Sequence, residues 1–318
     1  MKRVILSAVL FFLLPFTSAL ANDGYVFILK ARGNPYWTSM AEGIQETSKL
    51  NHIQAVVYQL ENDRAAEEQL NVCMTAIERK PKLLAISAVT PSVGIQCIKK
   101  AAAAGIIVAD MDSNISVDAA KAAGVSLAYT VGSDNFLIGQ EAAEYVSKTA
   151  TKRPLKIFVL EGAAGSIPGQ KRVDGFRAKL KELIPTANVT SLSAEWDMLK
   201  AVSATSDLLL RQPDVDIIYA ANDKMALGAA EAVRSAGKQD QIAIIGVDGT
   251  SDARKAIMEG RLSASVAQLP YLIGKRAVEL GVEVVKNGKT GIVEVTATPV
   301  LTKAMIEANT DPVLHYVR

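Results

Sequence analysis

From Tyr25 onward, short runs of apolar, largely β-branched residues alternate with longer stretches in which apolar positions recur at three- and four-residue spacing. The first pattern is that of a buried strand, the second that of an amphipathic helix. Strands are predicted at Tyr25–Leu29, Gln54–Gln59, Leu83–Ser87, Ile106–Asp110 and Leu127–Gly132, with helices Tyr36–Leu50, Ala65–Arg79 and Ser92–Ala104 between them. The rhythm restarts with strands at Leu155–Glu161, Val189–Ser193, Ile217–Ala220, Ile242–Val247 and Ser263–Ala267. Helices Val173–Leu183, Met198–Arg211, Lys224–Ala236 and Asp252–Met258 connect them, and a helix Leu272–Lys286 and a strand Ile292–Thr296 follow.

Alternation of this kind means an α/β fold with parallel sheets. Two such series in one chain predict two similar Rossmann-like lobes joined by a hinge of several strands. The chain is expected to cross between lobes near Val131–Ser133, Gln268–Leu269 and Thr296–Pro299. Residues 22–131 and 269–295 then form an N-terminal lobe, and residues 132–268 and 296–318 a C-terminal lobe. No low-complexity linker interrupts the pattern, which fits lobes that close on a hinge.

Parallel sheets bind ligands outside the carboxyl ends of their strands. Two consecutive runs, IIYAANDKMALG at Ile217–Gly228 and IAIIGVDGTSDA at Ile242–Ala253, end in Asn222 and Asp248 at such tips. Lys30, Asn34, Tyr36 and Trp37 follow the first strand and Asp112 the fourth, while Arg172, Trp196 and Gln268 fall near tips of the second series. This set suits a neutral polyhydroxylated ligand. Arg, Lys and Asn donate to vicinal hydroxyls, Asp accepts from them, and a flat aromatic ring packs on the apolar face of a sugar.

Net charge changes little in this picture: +2, with both signs scattered, leaves no electrostatic footprint for nucleic acid. The N-terminus adds a location. Lys2 and Arg3 precede an apolar run Val4–Phe16 and then Ala19-Leu20-Ala21, the order of a secretory signal peptide cleaved after residue 21. A membrane anchor is the rival reading, but the run is shorter than the ~20 residues a spanning helix needs and contains Pro15. Export places the two cysteines, Cys73 and Cys97, in an oxidising compartment. Both lie in predicted helices flanking Leu83–Ser87, where right-handed crossovers can lie side by side on one sheet face. Two readings stay open, a Cys73–Cys97 disulfide or two separate buried thiols.

Enzyme signatures are weak. Gly162, Gly165 and Gly169 fit neither a dinucleotide fingerprint nor a P-loop and read as turn glycines. His52 and His315 stand near no nucleophile motif. Asp110 and Asp112 are expected on opposite sides of their strand tip, one toward the crevice and one toward the lobe, with too few convergent oxygens for a metal. Asp223 reads as the N-cap of its helix and Asp134 as a cap or hinge residue. The bland alternatives are that Tyr36 and Trp37 staple a helix to its lobe and that Arg172 pairs with Glu161 or Asp174.

The ordered motifs NPYW at Asn34–Trp37, MDS at Met111–Ser113, GSDN at Gly132–Asn135, EWD at Glu195–Asp197, ANDKMALG at Ala221–Gly228, GVDG at Gly246–Gly249 and SVAQLP at Ser265–Pro270 resemble a known family. It is the periplasmic sugar-binding proteins of ABC importers with the type I fold, the group of ribose- and D-allose-binding proteins, and the resemblance is closest to the allose type. The resemblance implies hydrogen bonds to sugar hydroxyls from Asn34, Asp112, Arg172, Asn222, Asp248 and Gln268, and packing of Tyr36 and Trp37 on the ring. Lys30 and Trp196 match the allose-type pattern, whereas Ser113 departs from the charged residue common there. It further implies an allose- or ribose-like monosaccharide or a sugar alcohol as ligand, ABC permease subunits as partners, no cofactor, no metal and a monomer. Two rival readings are presentation of the closed form to a chemoreceptor or sensor kinase, and an exported sugar-cleaving enzyme with a carboxylate pair. A transcriptional regulator is disfavoured, since no helix-turn-helix precedes the first strand.

Overall fold

The computed structural model describes residues 24–62, 65–112, 115–151, 154–310 and 312–316. Residues 1–21, expected to be a signal peptide, and Ser113 lie outside the described residues. The first series comprises β1 (Tyr25–Ala31), α1 (Pro35–Leu50), β2 (Ala55–Leu60), α2 (Ala66–Glu78), β3 (Leu83–Ile86), α3 (Pro91–Ala103), β4 (Ile107–Met111), α4 (Val117–Ala122) and β5 (Tyr129–Ser133). The second comprises α5 (Asn135–Thr149), β6 (Lys156–Glu161), α6 (Ile167–Leu183), β7 (Asn188–Ser193), α7 (Met198–Arg211), β8 (Ile217–Ala220), α8 (Asp223–Ser235), β9 (Ala243–Asp248), α9 (Ser251–Met258) and β10 (Ala264–Ala267). Then come α10 (Pro270–Asn287), β11 (Ile292–Thr296), β12 (Val300–Leu301), α11 (Lys303–Ala308) and a 3₁₀ turn, Pro312–Tyr316.

The strands form two sheets of six with the same internal order, β11-β5-β4-β3-β1-β2 and β12-β10-β9-β8-β6-β7. Every pairing is parallel except β10 with β12. Alternation along β1 explains the layers. Tyr25, Phe27 and Leu29 pack with Met40 and Ile44 of α1 and Ile273 and Val278 of α10. Val26 and Ile28 face Cys73 of α2 and Cys97 and Ile98 of α3. Each such side chain, fully buried, contributes about 1.5–3 kcal/mol.

The helices after β5 and β10 exchange sides. α5 follows a strand of the first sheet yet packs on α6, and α10 follows a strand of the second yet packs on α1. Glycine pairs permit both crossings. A Cβ at Gly43 or Gly274 would overlap the facing carbonyl of Tyr271 or Met40, and one at Gly139 or Gly175 would overlap that of Arg172 or Phe136. This also explains why the apolar pattern does not reveal α5. Its buried face is built largely from Gly139, Ala142 and Ala143, small residues that give little hydrophobic contrast.

Cys73 and Cys97 are joined as a disulfide between α2 and α3, with Cα atoms 5.9 Å apart, which decides between the two readings of these cysteines. The bridge closes a loop with a sequence separation of 24. Removing it by Cys73→Ser/Cys97→Ser is expected to cost about 3 kcal/mol in urea unfolding, through the added entropy of the unfolded chain. A midpoint unchanged in the double variant would refute this.

Candidate functional site

The carboxyl ends of the two sheets face one cleft. Its cavity, of ≈ 200 Å³, is lined by all ten residues singled out in the sequence. One wall carries Lys30 from the end of β1, Asn34, Tyr36 and Trp37 from the start of α1, and Asp112 just beyond β4. The other carries Arg172 of α6, Trp196 from the turn after β7, Asn222 after β8, Asp248 at the end of β9 and Gln268 after β10.

The walls are built alike. In the shared strand order β4 and β9 occupy equivalent places, and an aspartate with left-handed backbone stands just beyond the first and at the end of the second, Asp112 at φ 68° and Asp248 at φ 119°. Such strain in a non-glycine residue is held only where its surroundings fix it. Asp112 donates its N–H to the Val131 carbonyl at 2.9 Å, and the Asp248 carbonyl accepts from the Gln268 N–H at 3.2 Å. Asp112 lines the cleft and Asp110 does not, as expected, but alternation along the strand is not the reason. Residues two apart on a strand share a face, so it is the turn of the backbone at Asp112 that sends it to the cleft while Asp110 stays buried within β4.

On the first wall Tyr36 Oη donates to Asp112 Oδ1 at 2.7 Å, and Lys30 Nζ lies 3.7 Å from Asp112 Oδ2. Lys30 Nζ also sits 4.8 Å from the centre of the Trp37 ring, which meets Tyr36 edge-on at 4.7 Å. Burial pushes the Asp112 carboxyl up, against the pull of Lys30, and burial with the Asp112 charge pushes the Tyr36 phenol well above its ordinary value.

On the second wall Arg172 is fixed from three sides. Nε donates to Asn135 Oδ1 at 2.8 Å, Nη1 donates to the Ala221 carbonyl at 2.6 Å, and Nη1 stands 3.5 Å from Asp248 Oδ1. Glu161 instead pairs with Arg177, and Asp174 accepts from Gln170. α6 begins at Ile167, well before the predicted Val173, and so places Arg172 within a helix whose first turns face the cleft. Gln268 Nε2 donates to Asp248 Oδ1 at 2.5 Å, while the Gln268 backbone carbonyl accepts from Ser133 Oγ at 3.2 Å. Ser133 Oγ also lies 3.2 Å from Thr296 Oγ1, so the chain segments that pass between the sheets are tied together beside the cleft.

The N-cap of α8 is Asn222, whose Oδ1 accepts from the Met225 N–H at 2.9 Å; this corrects the assignment of the cap to Asp223. Using the oxygen on the helix leaves the Asn222 amide group for the cavity. Asp223, one residue on, is buried behind Asp248. It accepts from Ser265 Oγ at 2.6 Å, the Thr250 N–H at 2.8 Å and Thr250 Oγ1 at 3.1 Å. Asp134 caps α5, accepting from the N–H groups of Phe136 and Leu137.

Burial raises both Asp248 and Asp223; Arg172 opposes the rise at Asp248 and the bond from Ser265 opposes it at Asp223. The native state therefore binds these protons more tightly than the unfolded chain. Their stabilisation is fully present below the ordinary carboxylate range near pH 4 and is lost as pH rises through the raised native values. Urea unfolding of the sugar-free protein should show stability falling from acid toward neutral pH, with a flatter profile in Asp248→Asn. Parallel profiles for the two proteins would contradict this.

Val89, Thr90, Ala163, Ala164, Gly165, Ser166 and Pro168 complete the lining and were not foreseen. Thr90 and Ser166 are the caps of α3 and α6, each followed closely by proline, and that signature marks a helix start at a strand tip. The alanines and Gly165 carry no side-chain chemistry to detect. Asn135, which orients Arg172, lay in a quoted motif without an assigned role.

A cleft with carboxylate acceptors, cationic and amide donors and an indole on each side defines a receptor for a small polar solute. The chain belongs to the family described as periplasmic binding protein domain, which it matches over residues 25–290. It is 30% identical over 273 residues to the D-allose-binding periplasmic protein of Escherichia coli, covering 86% of this chain and 88% of that protein. It is 34% identical over 274 residues to the ribose import binding protein RbsB of Escherichia coli, with the same coverage. An ABC transporter periplasmic solute binding protein from Actinobacillus succinogenes with bound D-allose superposes with a TM-score of 0.83 at 28% identity, covering 90% of this chain and 99% of that one.

Proposed function

We propose that this chain is a periplasmic solute-binding protein that captures a monosaccharide between two lobes and delivers it to an ABC permease. The observation that carries the reading is the duplicated grip: a cation, a strained aspartate, an asparagine and a tryptophan on each side of one sugar-sized cavity. Residues 22–131 with 269–295 act as one closing body and residues 132–268 with 296–318 as the other. Ligand binding energy selects the closed form, because only there do both walls touch the sugar. Residues 1–21 act as the export signal, and the mature protein works as a monomer that performs no chemistry on its cargo.

Lys30 and Trp196 favour an allose-like hexose over ribose, and the relatives that bind D-allose and ribose support a ligand of this class. The buried carboxylates beside Lys30 and Arg172 favour a neutral sugar over a phosphorylated one. Calorimetry of ligand-stripped mature protein against D-allose, D-ribose, tetroses and alditols tests this, with small-angle scattering to follow closure. Binding of a hexose or pentose with a fall in radius of gyration is expected. No binding by any member of the panel, or conversion of the sugar, defeats the reading.

A further inference from the structure

The assigned ligand residues do not explain what sets the position of Trp196, whose ring lines the second wall. Its backbone is left-handed at φ 65°, as is that of Glu195 at φ 52°. The turn is pinned on both flanks: the Asp197 N–H donates to the Ala194 carbonyl at 2.8 Å, Asp197 Oδ1 caps α7, and Glu195 pairs with Lys200 at 2.6 Å. Arg172 lies 5.9 Å from the ring centre.

Behind the ring are two glycines. A Cβ at Gly162 would overlap Cζ2, Cη2 and Cε2 of the indole, and one at Gly169 would come within 2.8 Å of Cζ2 and 3.0 Å of Cη2. Neither glycine has left-handed backbone, unlike Gly165 between them at φ 79°, so space and not chain conformation calls for glycine there. Gly162 is itself fixed to β7, since its carbonyl accepts from Ser193 Oγ at 2.7 Å. Trp196 lines the sugar cavity, whereas Gly162 and Gly169 line an adjoining cavity that shares Ala163, Ala164, Gly165 and Ser166 with it and that Trp196 does not line. A methyl group added at either glycine therefore displaces the indole, and with it one wall of the sugar cavity.

We propose that Gly162 and Gly169 are specificity-determining residues: they form a socket that sets how far Trp196 stands into the cavity and hence the largest sugar it admits. The inference rests on the sugar-binding reading for its ligand, but not for the geometry of the ring. The two positions differ in severity, Gly162 meeting three ring atoms and Gly169 only grazing two.

The test titrates wild type, Gly162→Ala, Gly169→Ala and Gly162→Ala/Trp196→Phe with D-allose, D-ribose and D-erythrose. Gly162→Ala should lose at least tenfold more affinity for D-allose than for D-erythrose, and Gly169→Ala should shift the same way by a few fold. The smaller ring of Trp196→Phe should restore most of the D-allose affinity in the Gly162→Ala background. Equal losses for the three sugars, or no rescue, would overturn the proposal. If Gly162→Ala does not fold, Gly169→Ala decides by the same criterion. A ligand-free readout separates this proposal from the sugar reading. With Trp37→Phe as background, Trp196 is the sole tryptophan, and Gly162→Ala should change its emission maximum and acrylamide quenching. Unchanged emission and quenching would overturn the socket even if no sugar bound, whereas a sugar-free protein with altered emission would defeat only the sugar reading.

Discussion

Asp248→Ala is expected to abolish sugar binding in calorimetry while leaving a folded protein. Its carboxylate is the acceptor at the centre of the second wall, shared by Gln268 Nε2 at 2.5 Å and Arg172 Nη1 at 3.5 Å. Charge-assisted bonds are worth about 1.5–3 kcal/mol each, so losing two to sugar hydroxyls costs about 3–6 kcal/mol. That is a loss of roughly two to four orders of magnitude in Kd. The fold survives because Arg172 keeps Asn135 and the Ala221 carbonyl, and because a carboxylate raised by burial is no asset to the empty protein. Asn222→Ala should lose binding as well, but with a stability loss of about 1 kcal/mol, since it also removes the N-cap of α8. Kd values within threefold of wild type in both variants would discard the site.

The largest stability effect is expected at Asp223, which touches no ligand. Its carboxylate holds the tips of three neighbouring strands together. Ser265 Oγ donates to it while accepting from the Gly249 N–H, and Thr250 Oγ1 donates to it while capping α9. Asp223→Ala leaves buried donors of Ser265 and Thr250 unpaired, at about 1–3 kcal/mol apiece. A total of about 3 kcal/mol or more should appear as a lower midpoint in urea at neutral pH. Asp223→Asn, which keeps one acceptor oxygen, should recover part of it. A change below about 1 kcal/mol in Asp223→Ala would show that the network carries little.

Much of this was readable in the chain because parallel strands announce themselves. β8 keeps the predicted bounds Ile217–Ala220 and α7 the predicted Met198–Arg211, since continuous apolar runs and a strong helical stripe leave few alternatives. The strand ends also placed the ten cleft residues, because a buried parallel strand has only one end at which a polar side chain meets a ligand. What failed was local. α5 hid behind small residues chosen for backbone contact, α6 starts at Ile167 and not at Val173, and the cap of α8 falls on Asn222 and not Asp223 because both are plausible caps in isolation.

The sequence by itself determined the α/β class, the two repeats, the strand tips and the kind of chemistry they present, since hydrophobic periodicity and residue type are properties of the chain. Only the tertiary structure decided that Asp112 and Asp248 occupy equivalent strained positions facing one another across a cleft, that Cys73 meets Cys97, and that Asp223 stands behind the site and not in it. It also decided the meaning of Gly162 and Gly169. Spacing along the chain reports a glycine as a turn, whereas the absence of a side chain matters here because Trp196, some thirty residues away, fills the space that a Cβ would take.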